Sequence, residues 1–175
     1  GAIAAAVLAL PELVPYATDR LASWRDPFAD PLGEGHQTIQ SLYAIASGGL
    51  AGLGLGNSRQ KYLYVPEPQN DFIFSILCEE LGFLGAALAV ALFLALLLRG
   101  MSIAIRARDK FGALLAVGFV VQVVLQAILN IAVVTNTIPN TGISLPFFSS
   151  GGTSLLMLLG EMGIVLSVSR QTDAV

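Results

Sequence analysis

Two long apolar runs, Phe72–Leu98 and Phe111–Thr135, stand on either side of a short basic segment, and their few polar residues fall near the ends or along one side. About 20 apolar residues in helical form cross the hydrocarbon of a bilayer, so each run predicts a membrane-spanning helix. A third run, Thr153–Val168, is shorter, but apolar residues just before it extend its buried length, and a helix over 153–169 is expected. Gly1–Val14 is apolar too, yet too short to span alone, and reads as the end of a helix. The pattern predicts an all-α integral membrane fold, a polytopic helical bundle forming a single membrane domain over residues 1–175.

The polar intervals are uneven. Residues 15–71 form a segment far longer than the roughly 12–15 residues of an ordinary connection. Within it Ile39, Leu42, Tyr43 and Ala46 recur at helical spacing, which predicts an amphipathic helix over His36–Ser47 lying on the membrane surface. Asp26-Pro27 and Asp30-Pro31 start turns ahead of it. Gly48–Gly56 intersperses glycine with leucine and alanine; no strand precedes it, so it is not a dinucleotide loop but a place of close backbone packing or a turn. In residues 136–152, Pro139 and Pro146 stop helix, while Ile143, Leu145, Phe147 and Phe148 are too apolar for a free aqueous loop. A re-entrant or membrane-hugging loop is expected, its backbone buried in protein or lining a cavity, with the start of the last helix either capped by Ser149, Ser150 or Thr153 or open to an anion.

Charge orients the bundle. Arg99, Arg106, Arg108 and Lys110 face one acid, Asp109, in the segment Arg99–Lys110, and short loops rich in Lys and Arg stay in the cytoplasm. Residues 15–71 and 136–152 then lie outside the cell. Composition agrees with a membrane protein, at 55% hydrophobic and 12% charged residues and a mean hydropathy of +0.75. A net charge of −3 without any basic patch interleaved with aromatics gives no sign of a nucleic-acid partner. The single Cys78 has no partner in the chain, which excludes an internal disulfide framework. A start at Gly1, inside an apolar run with no basic leader, reads as the C-terminal part of a larger protein.

Asp71 opens the first long helix. An aspartate there caps free backbone N–H groups, but a carboxylate at a membrane surface is costly unless paired or functional, so cap and catalyst are both open readings. On a helical wheel Asp71, Ser75, Cys78, Gly82 and Gly85 share one face, with Glu79 to one side and Glu80 nearly opposite. Arg59 and Lys61 are either solvated cations or phosphate ligands. Gln122, Gln126 and Asn130 line one side of the second helix, as amides that join helices or bind substrate do, and Glu161 is a lone acid in the last. His36 is the only histidine, and no histidine or cysteine cluster suggests a zinc site.

The motifs Leu53-Gly54-Leu55-Gly56-Asn57-Ser58-Arg59-Gln60-Lys61, Pro66-Glu67-Pro68-Gln69-Asn70-Asp71-Phe72-Ile73-Phe74, Glu79-Glu80-Leu81-Gly82 and Pro139–Ser154 follow one another in order. Together they resemble the SEDS family of bacterial shape, elongation, division and sporulation proteins, nearest its division and sporulation members. The resemblance spans about Pro15 to Arg170 and implies the last four or so of ten membrane helices. It implies a multi-pass protein of the bacterial cytoplasmic membrane that polymerises lipid II into glycan strands at the outer face, alongside a class B penicillin-binding protein and membrane lipids. The family's essential aspartate maps onto Asp71, here preceded by Gln69-Asn70 where many members have His-Thr or Gln-Thr. Arg59, Gln60, Lys61 and Glu67 would bind substrate. The departing pyrophosphate needs positive charge from Arg59, Lys61 or a divalent cation, Mg or Mn, and no organic cofactor is implied. A lipid II flippase and a non-catalytic scaffold for a penicillin-binding protein are the alternatives.

Overall fold

Helices α1 (His36–Gly48), α2 (Ile73–Ile105), α3 (Lys110–Val134) and α4 (Gly152–Arg170) carry the computed structural model, which describes residues 21–31, 33, 35–58 and 71–171. No strand occurs among the described residues. α2, α3 and α4 are each long and apolar enough to cross a membrane, and leucines such as Leu88, Leu92, Leu114, Leu156 and Leu166 stand exposed along them. Apolar surface of this kind, costly in water, is the lipid-facing side of a membrane bundle. The chain is an all-α integral membrane protein.

The core forms where α2, α3 and α4 meet the loop between α3 and α4. Phe72, Phe74, Phe93, Val123, Ala127, Val134, Leu145 and Leu158 pack there as one buried cluster. A second, smaller cluster of Ile103, Val120 and Val165 lies toward the other end. It explains why α2 runs beyond Leu98 through much of the basic segment. Gly100 brings α2 so close to α3 that an added Cβ would overlap a Val120 methyl, and Ile103 and Ala104 are buried, so the helix continues until its packing ends. The connector is thereby cut to residues 106–109, and Asp109 caps α3 by accepting from the Gly112 N–H at 2.7 Å.

α1 forms where expected, but its buried side is a different one. Ile39, Ser41, Ala44 and Gly48 are buried, whereas Tyr43 and Ala46 are exposed. Small residues win this face because α1 packs closely on α2: a Cβ on Gly48 would overlap the Cys78 carbonyl oxygen. Ser41 Oγ adds a hydrogen bond to the Val134 carbonyl at 2.8 Å, tying α1 to the end of α3.

α2 is broken at Gly82, whose φ of 67° and ψ of −166° lie where only glycine is comfortable. In a straight helix the Glu79 and Glu80 carbonyls would accept from Phe83 and Leu84. Here they accept from Leu53 and Gly54 of the glycine loop instead, while the Phe83 and Leu84 N–H groups donate to the Gly49 and Leu50 carbonyls. The loop enters the break and pairs these four backbone groups, as buried backbone requires. Close backbone packing, one of the two expectations for this run, is what the loop does.

Candidate functional site

The loop between α3 and α4 is held from both sides. Asn136 begins it in a left-handed conformation and exchanges hydrogen bonds with Trp24, donating Nδ2 to its carbonyl at 3.3 Å and accepting indole Nε1–H at 3.1 Å on its own carbonyl. Asn140 Nδ2 reaches Gln37 Oε1 of α1 at 3.5 Å, and Asn140 Oδ1 accepts the Gly142 N–H at 3.1 Å, a local turn of the kind Asn-x-Gly favours. Beyond it Leu145 and Pro146 are buried, and the Phe148 ring lies 6.4 Å from that of Phe93, well down α2. Ser149 Oγ accepts from the Leu145 N–H rather than capping α4, whose first turn has no side-chain cap. The expected serine or threonine cap is therefore absent, because the hydroxyl is used inside the loop.

Asn130 is the centre of this arrangement. It is fully buried on α3, and its Nδ2 donates at 2.7 Å both to the Asp71 carbonyl and to the Ile143 carbonyl. One turn earlier Gln126 Nε2 donates to the Ser144 carbonyl at 3.1 Å. Amides expected to join helices instead fasten loop backbone, and only Gln122 reaches another helix, at 3.5 Å from Glu161 Oε1. Asp71 thus sits at the junction of α2, α3 and the loop.

Asp71 is half-buried and precedes α2 without capping it; Phe72 occupies the cap position, with no side-chain cap bond. Ser75 fills the gap, its N–H and Oγ both bonding the Phe72 carbonyl. The N-cap position of α2 therefore belongs to Phe72 and not to Asp71. A Cβ built on Gly142 would stand 3.6 Å from Asp71 Oδ2, so the carboxylate faces the loop at its barest residue. Gly142 also lines a groove of about 540 Å³ with Gln122, Leu125, Gln126, Leu129 and Ser144. Amides beside the leucines of this groove suit an amphiphile with a polar head and an aliphatic tail.

Glu79 was the less conspicuous acid in the sequence and is the more deeply placed. It is 1% exposed and accepts a hydrogen bond from Ser58 Oγ, itself buried at the end of the glycine loop. Pairing answers the cost of this carboxylate. Arg59, Gln60, Lys61 and Glu67 lie outside the described residues. Gly142 and the Asn130 clamp escaped the sequence reading; the signals were the amide row on α3 and the Asn-Thr-Gly turn.

Comparison with known proteins gives concordant results. The family of cell cycle proteins comprising FtsW, RodA and SpoVE matches residues 2–174. Stage V sporulation protein E of Bacillus subtilis (strain 168) is 54% identical over 156 residues, covering 89% of this chain and 43% of that protein. The probable peptidoglycan glycosyltransferase FtsW of Trichlorobacter lovleyi is 46% identical over 154 residues, covering 88% and 40%. Among solved structures, a chain of a peptidoglycan synthase complex that coordinates polymerization and crosslinking superposes with a TM-score of 0.67 at 33% identity, over 97% of this chain and 47% of that one. A mutant of the Thermus thermophilus rod shape determining protein RodA gives 0.58 at 31% identity, over 77% and 41%. The chain spans less than half the length of each of these proteins.

Proposed function

We propose that this chain, which belongs to the FtsW, RodA and SpoVE family of cell cycle proteins, carries the catalytic aspartate of a peptidoglycan glycosyltransferase that polymerises lipid II. The observation that carries the reading is Asp71 itself, its carbonyl clamped by Asn130 and its carboxylate turned to Gly142 at the head of the groove. Glycan elongation requires the acceptor hydroxyl to lose a proton as it attacks the donor's anomeric carbon while the lipid-linked pyrophosphate departs. Asp71 accepts that proton as general base. Asn130 and Gln126 hold the loop so that the base and the loop backbone keep one spacing through the reaction.

Arg59, Gln60, Lys61 and Glu67 would bind substrate, the two cations supplying positive charge for the departing pyrophosphate. Among the described residues no three His, Cys, Asp or Glu side chains gather to hold a metal. Asp71 would serve as a protein ligand to a magnesium or manganese ion held otherwise by substrate phosphates, in the manner of ions bound through one or two carboxylates. Bound there, the ion would neutralise charge on the leaving group.

The Asp71 end of the bundle faces outside the bacterial cytoplasmic membrane and the connector 106–109 faces the cytoplasm, following the Lys and Arg bias. A class B penicillin-binding protein lays its single membrane helix against the groove of about 670 Å³ along α2, where Ala86 and Ala87 lie beside Phe83 and Val90. Purified full-length protein with its partner and lipid II in detergent tests the reading. Glycan polymer supports it; vesicle transport of lipid II without polymer supports a flippase, and neither product leaves a scaffold.

A further inference from the structure

We infer that the glycine loop after α1 is a membrane wedge, its leucines seated among the lipids of the leaflet on the Asp71 side. The inference rests on α2 crossing a bilayer and not on any catalytic role. Burial changes character at Gly82. Before it, Phe74, Ser75, Ile76, Cys78 and Glu79 are buried in protein; after it, Phe83, Leu84, Leu88 and Leu92 are exposed. From Phe83 to Leu98, ahead of the exposed Arg99 that opens the basic segment, is about 24 Å at the rise of an α-helix, which puts the break near the outer limit of a hydrocarbon layer of about 30 Å. The edge of the hydrocarbon therefore falls close to the break.

The glycine loop is fixed at that same height. Its Gly49 and Leu50 carbonyls accept from Phe83 and Leu84, the first residues of the lipid-facing stretch. Leu50 is 74% exposed, Leu55 76% and Leu53 43%. Residues 48–56 hold only glycine, alanine and leucine, so no side chain there can hydrogen-bond or pair with a charge. Water is a poor surrounding for such a patch, and a specific protein partner would find no polar group to read. Lipid is the occupant continuous with the exposed face of α2.

The backbone permits the depth. Irregular backbone facing lipid is excluded from the hydrocarbon unless its polar groups are paired. Here Gly52 N–H returns to the Gly48 carbonyl, Leu53 and Gly54 donate to Glu79 and Glu80, and Asn57 donates its N–H to Gly54 and its Nδ2 to Leu53. Through these bonds the loop closes on itself and on α2, and its side chains offer only leucine and alanine methyls outward.

The test is nitroxide depth in full-length protein reconstituted in nanodiscs. Leu50→Cys and Leu55→Cys are labelled in turn on a Cys78→Ser background, with Leu88→Cys as the lipid-facing reference. Collision with dissolved oxygen should exceed collision with a water-soluble nickel chelate severalfold at both loop sites, as at the reference. Dominant collision with the nickel chelate would place the loop in water and overturn the inference. Protection from both reagents would mean that protein covers the loop, and would overturn it equally.

Discussion

At Asp71 a single backbone bond separates two roles that the sequence alone left joined. Because Phe72 rather than Asp71 occupies the cap of α2, replacing the carboxylate with an amide removes a base without removing a cap. Asp71→Asn is expected to lower glycan synthesis by about 100- to 10,000-fold with Tm near that of the unaltered protein. Polymer yield from the purified, partner-bound enzyme, with thermal unfolding in parallel, measures both; near-normal yield removes Asp71 from the mechanism. Asn130 makes a different prediction. Asn130→Leu keeps the branching but leaves the Asp71 and Ile143 carbonyls without their donor, at a cost of about 1–3 kcal/mol for each. Gln122→Leu, at an exposed site with one long hydrogen bond, should stay within about 0.5 kcal/mol. Thermal unfolding in detergent compares the two, and equal losses would deny Asn130 its role as a clamp. The sequence could mark Asp71 because an acid beside a membrane is conspicuous, but what a buried amide bonds to depends on which loop folds back over it.

Among the elements, α2 is where the local pattern and the fold diverge. Its apolar run announced a helix, and a helix forms; the break at Gly82 carried no local signal, since Gly85 in the same stretch is an ordinary helical glycine. The difference lies in the partner. Of the two, only Gly82 meets the glycine loop, where an added Cβ would overlap the Gly52 nitrogen and stand 2.6 Å from the Leu50 oxygen. Gly82→Ala is expected to cost about 3 kcal/mol or more, from strain at its backbone angles plus that overlap. Gly160→Ala, in α4 with open space where the Cβ would go, should be neutral or stabilise by up to about 1 kcal/mol. Chemical or thermal unfolding of the pair in one detergent decides the matter, and similar effects at both sites would show that the break does not depend on glycine. α1 teaches a related lesson: its length was legible in Ile39, Leu42, Tyr43 and Ala46, yet its buried side is set by how closely Gly48 lets it approach α2.

For the whole molecule the predictions concern sides and neighbours. Ser58 is buried against Glu79 and Ser102 lies within α2, so exposed Asn57 and the connector residue Ala107 are the sites to label. In cells, Asn57→Cys should react with an impermeant maleimide and Ala107→Cys should not, on a Cys78→Ser background; the reverse pattern inverts the bundle. Bulky replacements at Ala86 and Ala87, such as Ala87→Trp, should weaken co-purification with a class B penicillin-binding protein at least severalfold while the protein stays monodisperse. Unchanged recovery would move the docking surface elsewhere. Three spanning helices were legible because hydrocarbon imposes length and apolarity on each helix by itself. How the loops come together over them was not, because bonds such as Trp24 to Asn136 join residues far apart in the chain.

The hydrogen bonds exchanged at Gly82 also bear on how the protein is assembled. Two bonds of an unbroken helix, Phe83 to Glu79 and Leu84 to Glu80, are replaced in the finished fold by four to the glycine loop. A nascent α2 entering the bilayer before that loop has docked can keep its own two, and no amide is stranded in lipid during biogenesis. Docking then trades partners one for another. Maturation of this region would show as a late gain in deuterium-exchange protection at Leu53 and Gly54, after α2 is already inserted.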